Sequence, residues 1–122
     1  MTAANRRYTR YAIPEQSLQK QMIKTKGVLG LLAGWADCRV RDISYAGALV
    51  LTDKKIGIGD RVLLRLVEKS GDEMIFEGVA ANCSKDPISL QYRVGMALSE
   101  PEEGKREMGF LLKLQDRYRP VT

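Results

Sequence analysis

A small all-β sandwich or barrel of five to seven short strands, finished by one C-terminal α-helix, is the fold that this sequence predicts. Three observations carry it. Apolar and polar residues alternate at period two over most of the chain, turn signals interrupt that alternation at short intervals, and only the last stretch changes to a spacing of three and four.

The alternation is first clear in ADCRVR at 36–41, where small and apolar residues take turns with charges, as a strand with one buried face requires. An apolar run at 47–51 follows, and TDKKIGIGD at 52–60 reads as a glycine-rich connection. RVLLRLVEK at 61–69 is a strand, SGD at 70–72 a turn, and MIFEGVAANC at 74–83 its hairpin partner. SKDP at 84–87 marks another turn, and 91–98 alternates again with Tyr92, Val94, Met96 and Leu98 on one face. Ahead of these, 20–26 reads as a strand and 27–34 as a loop or a strand edge. After the loop SEPEEG, Met108, Leu111, Leu112, Gln115 and Tyr118 recur at helical spacing, which predicts an amphipathic helix of about three turns packed on the β-structure. There is no internal repeat and no low-complexity tract.

A chain of 122 residues fits one domain: an N-terminal arm over 1–13, a β-structured body over 14–104, and the helix with its tail over 105–122. Apolar residues at 44% and charged residues at 29% are ordinary soluble usage. The longest apolar stretch, 28–36, is broken by Gly30 and Gly34 and is too short to cross a bilayer. The start, MTAANRRYTRY, has no apolar segment behind its basic residues and so no signal-peptide pattern. A cytoplasmic location is the expectation, and with it Cys38 and Cys83 as free thiols. The chain has no histidine, which removes the usual general base, the histidine-activated nucleophiles and the help a metal site would need. Asp42 and Ser44 form no nucleophile and base pair, so neither catalysis, nor a metal, nor a cofactor is expected.

Charge is informative by position. The stretch 1–26 holds Arg6, Arg7, Arg10, Lys20, Lys24 and Lys26 against the single acid Glu15, and the remainder carries 14 charges of each sign. The whole net charge of +5 therefore lies at the N-terminus. That distribution suits an anionic partner gripped by an arm, or a solvated tail, better than a polymer coated along a face.

Two short patterns stand out as a pair: Arg6-x-x-x-Arg10 within NRRYTRY, and Asp42-x-Ser44-x-x-Gly47 within DISYAGALV. Their order, the alternating strands behind them and the late-strand tetrad Arg93-Val94-Gly95-Met96 resemble the PilZ family over 5 to about 98. The resemblance implies a PilZ-like antiparallel β-barrel of about six strands that binds the bacterial second messenger cyclic di-GMP. It also implies site roles for Arg6, Arg10, Asp42, Ser44 and Gly47, with Asn5, Arg7 and Gly95 as supporting positions. Arg41 should face outward near the same place.

The chemistry agrees with those residue types. A cyclic dinucleotide carries two phosphates and two guanines, and a guanidinium donates paired hydrogen bonds to phosphate oxygens or to guanine O6 and N7. Asp42 supplies the acceptor that arginine lacks, for guanine N1–H and the 2-amino group. Ser44 adds a short donor or acceptor, and Gly47 lets backbone approach the ligand. Without ligand, 1–11 is expected to be mobile; ligand charge would fold the arm across the barrel and build a surface for an effector protein in motility, biofilm or exopolysaccharide control. A monomer or weak homodimer is expected. The alternatives are a basic β-barrel for RNA or single-stranded DNA, whose affinity would grow with polymer length and fall with salt, and a PilZ-like protein-interaction module without ligand.

Overall fold

In the computed structural model, which describes residues 8–26 and 34–121, the period-two segments become strands whose inward side chains fill one core. The strands are β1 (Tyr11–Ala12), β2 (Leu18–Lys26), β3 (Ala36–Ile43), β4 (Gly47–Thr52), β5 (Arg61–Glu68), β6 (Glu73–Lys85) and β7 (Tyr92–Leu98). Val62, Leu64 and Leu66 alternate inward along β5, and Val94 and Met96 along β7, with Tyr92 and Leu98 packed partly buried against the same core. The face expected of 91–98 is the face observed. The expected segment 27–34 lies outside the described residues apart from Gly34.

Antiparallel pairing runs β3-β2-β5-β6-β7-β4, and β4 pairs in turn with β3. Met22↔Asp37 and Ile23↔Ala36 join β2 to β3, so the six long strands close into a barrel, the arrangement that leaves no free sheet edge. β2 pairs with only the start of β3. Beyond that point Gln21 Oε1 accepts from Val40 N at 2.7 Å, and β1 takes over the vacated edge through Tyr11↔Ile43 and Ala12↔Asp42. The far edge of β1 is covered by the chain's last described residues, where Ala12 N donates to Arg119 O at 2.9 Å and Val121 N to Arg10 O at 2.8 Å.

The C-terminal helix is two pieces, α1 (Arg106–Leu112) and α2 (Leu114–Arg117), broken at Lys113 with φ −103° and ψ 9°. The buried face is correspondingly Met108, Phe110, Leu111 and Leu114, whereas Leu112 is 63% exposed. This corrects the helical face expected from Met108, Leu111, Leu112, Gln115 and Tyr118. The break shifts the phase of the second piece, and within the first the Phe110 ring, 6.0 Å from Phe76 and 6.2 Å from Tyr118, is buried where the spacing assigned Leu112. A large ring buries more apolar surface than a leucine and settles the orientation. Both cysteines are free and half-buried, and burial pushes the Cys38 thiol up to about 12.

Candidate functional site

Strict alternation would send Asp42 into the core, because Cys38 and Val40 precede it on the inward face. The structure does otherwise. A β-bulge between Val40 and Asp42 leaves Arg41 as the extra residue: Val40 pairs with Val50, but Asp42 pairs with Leu49 and Ile43 with Ala48. Ile43 and Ala48 are buried in the core, so Asp42 shares the outer wall with Leu49. A second bulge between Ala80 and Asn82 does the same on β6, where Ala80 pairs with Met96, Asn82 with Gly95 and Cys83 with Val94. Each bulge turns one polar side chain outward, the use to which bulges near binding sites are put.

Between these two polar residues the wall is made of small ones. Gly47 pairs with Ala97 and Leu49 with Gly95, and with Ala46 and Ala81 they line an open depression of about 1000 Å³ that also includes Tyr8, Thr9, Arg10, Asp42, Ser44 and Asn82. That volume is in the range of small-molecule sites. Gly47 is favoured by close approach, since a Cβ there would lie 3.0 Å from Met96 O, tighter than ordinary van der Waals contact. At Gly95 a Cβ would meet the Asn82 side chain at 2.6 Å.

Asp42 is the electrostatic centre of this depression. It is 6% exposed, and its Oδ1 accepts no hydrogen bond among the described residues. Arg10 Nη1 stands 3.8 Å from that oxygen on a side chain 58% exposed. Burial pushes the Asp42 carboxyl above the ordinary aspartate range, and the Arg10 and Arg41 charges only partly oppose it, because desolvation penalises the charged form. Ser44, by contrast, is occupied in its own turn: its Oγ accepts from Ala46 N at 3.2 Å and Gly47 N at 3.0 Å, and its N–H donates to Gly47 O at 2.7 Å. This is the side-chain-to-backbone bonding by which serine shapes turns.

Of the residues singled out in the sequence, Arg10, Asp42, Ser44, Gly47 and Gly95 come together at one place. Arg41 is exposed beside it and does not line the depression, although its charge acts on Asp42. Asn5, Arg6 and Arg7 lie outside the described residues. The structure adds Asn82, which the sequence reading missed; the one available signal was the break of alternation at Ala80-Ala81-Asn82. Tyr8 lines the depression as well; its ring lies 5.2 Å from Tyr45, while Tyr45 donates to Glu100 Oε1 at 2.5 Å and is held above its ordinary pKa chiefly by that bond. Among the described residues no cluster of metal-ligating side chains occurs, and no helix is long and apolar enough to cross a membrane.

Fold and site together define a small closed antiparallel barrel with a ligand-sized depression on its outer wall, lined by Asp42 and by Arg10 just ahead of β1. The sequence profile of the PilZ domain matches residues 5–112, and the chain belongs to that family. Among solved structures it is similar to the Bacillus subtilis inhibitor of motility MotI/DgrA, at TM-score 0.62 and 17% identity, covering 93% of this chain and 53% of that one. The chain thus spans about half the length of the Bacillus protein. It is also similar to the PilZ domain of YcgR from Escherichia coli, solved with c-di-GMP, at TM-score 0.57 and 16% identity, covering 89% of this chain and 85% of that one. No curated protein matches the chain in sequence.

Proposed function

We propose that the chain is a cyclic di-GMP receptor that binds the dinucleotide in the outer-wall depression and performs no chemistry on it. The observation that carries this reading is the buried Asp42 carboxylate, whose Oδ1 accepts no hydrogen bond among the described residues and which faces Arg10 at an open site. Such a group has its acceptor capacity unused, and guanine N1–H and the 2-amino group are the paired donors that would use it. Membership of the PilZ family and the likeness to a PilZ domain solved with c-di-GMP support the same ligand.

Arg10 meets phosphate or the guanine O6/N7 edge, and Arg6 and Arg7 bring the further cations that two phosphates call for. Gly47 keeps the floor low, and Ser44 shapes the turn that presents it. Because Tyr11 and Ala12 already pair with β3 and Arg10 O accepts from Val121 N, the portion of the arm that closes over ligand is the portion before Arg10. Closure would create a surface for an effector protein, with motility the output suggested by the likeness to an inhibitor of motility; the cytoplasm is the compartment where such a messenger is met.

Isothermal titration with cyclic di-GMP, beside cyclic di-AMP and GTP, tests the reading. Saturable heat with the guanine dinucleotide alone is expected. Substituting Arg10→Ala should weaken affinity at least about tenfold, since charge-assisted hydrogen bonds contribute roughly 1.5–3 kcal/mol. No heat with the parent chain at micromolar concentration refutes the assignment.

A further inference from the structure

We infer that Asn82 is a second base-reading residue of the depression and that Gly95 is glycine so that the Asn82 amide can lie across it. This rests on the cyclic di-GMP reading above and extends it to a residue outside the two sequence motifs.

The geometry starts from the β6 bulge. Were Ala81 paired in regular alternation, without the bulge, Asn82 would follow Ala80 onto the core face, where its amide would be buried among apolar side chains. With it, Asn82 pairs opposite Gly95 and faces the outer wall. There it is exposed, it lines the same depression as Asp42 and Arg10, and among the described residues its side chain makes no hydrogen bond. In the structure it lies against Gly95: a Cβ built on that glycine would come within 2.6 Å of its Oδ1, 2.9 Å of Nδ2 and 3.0 Å of Cγ. The amide group therefore rests over the bare α-carbon of its cross-strand partner, within the lining of the depression.

Its chemistry complements Asp42. An ionised carboxylate accepts only, so Asp42 satisfies the donor edge of a guanine and leaves O6 and N7 to be met by other donors. An amide N–H is a donor of the required kind and carries no charge, so it adds no repulsion to Arg10, which lines the same depression. Asn82 on β6 and Asp42 on β3 stand on either side of the small-residue floor provided by β4 and β7. The two bulges thus place an acceptor and a donor facing one ligand from opposite flanks, with Asn82 donating to the O6/N7 edge of a guanine base.

The test is a double-mutant cycle by isothermal titration with cyclic di-GMP, with thermal unfolding of each variant as the control on folding. Asn82→Ala should weaken binding about fivefold, one neutral hydrogen bond being about 1 kcal/mol, with the unfolding temperature unchanged. Gly95→Ala should weaken binding at least as much, because its methyl evicts the amide, and the same methyl should cost clearly less in the Asn82→Ala background. With cyclic di-IMP, which lacks the 2-amino group but keeps O6 and N7, the fivefold loss on Asn82→Ala should persist. A parent that binds while Asn82→Ala binds equally well, or a Gly95→Ala loss identical in both backgrounds, overturns the inference and leaves the receptor reading intact. A parent that takes up no cyclic di-GMP overturns both.

Discussion

Replacing Asp42 with asparagine should stabilise the unliganded chain and damage its binding, two effects of opposite sign from one substitution. In the structure the carboxylate is 6% exposed with Oδ1 unbonded among the described residues, and its ion-pair partner there is the Arg10 side chain at 3.8 Å, itself 58% exposed. Leaving a buried acceptor unbonded costs about 1–3 kcal/mol, and more when it is charged. A solvent-screened pair such as Arg10 with Asp42 returns only about 0–1 kcal/mol. Asparagine keeps the volume and removes the charge but brings an amide that also lacks partners, so the net gain at pH 7 is about 1 kcal/mol, or roughly 3–5 °C in a chain of this size.

The pH dependence separates this cause from any other. The folded pKa of Asp42 is raised, chiefly by burial, so the native state binds the proton more tightly than the unfolded chain. The protonated group therefore favours folding at low pH, and that contribution disappears as pH rises through the folded pKa. The advantage of Asp42→Asn should accordingly be full at pH 7 and shrink as pH falls toward the ordinary aspartate value of about 4. Thermal unfolding by circular dichroism at a series of pH values reads this directly, and titration with cyclic di-GMP should show an affinity loss of at least about tenfold. An asparagine variant that unfolds at or below the parent temperature at pH 7 would refute the claim that the carboxylate is held there at a cost to stability.

Val121→Pro removes the N–H that donates to Arg10 O; it should lower cyclic di-GMP affinity a few-fold by loosening the backbone that carries Arg10, with little change in barrel unfolding. Asp86 is held down to about 2, first by the Ser89 N–H, then by the Ser89 hydroxyl and Arg93. Its contribution is therefore present above pH of about 4 and lost as pH falls toward 2, so Asp86→Asn should lower the unfolding temperature at pH 7 and converge with the parent near pH 2. Gly78→Ala would place a Cβ 2.3 Å from Ala97 O, backbone against backbone in the β6–β7 ladder. Denaturant unfolding should show a loss of about 2–3 kcal/mol without a change in slope.

Much of the barrel was legible in the chain because its strands have one wet face and one dry face, and period two records that directly. The hairpin of β5 and β6, the face of β7 and the pairing of two motifs with a basic arm all follow from local pattern. The helix was readable as a helix but not in its phase: Lys113 breaks it for no reason visible in the spacing, and the competition between Phe110 and Leu112 is decided by the space beside Phe76.

For the site, residue types and order pointed to Arg10, Asp42, Ser44, Gly47 and Gly95, since charge, a turn serine and glycine carry their chemistry in their identity. What tertiary structure alone decided is where they stand. An alternating pattern assigns Asp42 and Asn82 to the core, and only cross-strand register, set by two bulges that depend on the packing of neighbouring strands, brings them to the outer wall. A contact such as Asn82 over Gly95 joins residues on different strands. No local sequence signal records it, because it exists only once the ladder between β6 and β7 has formed.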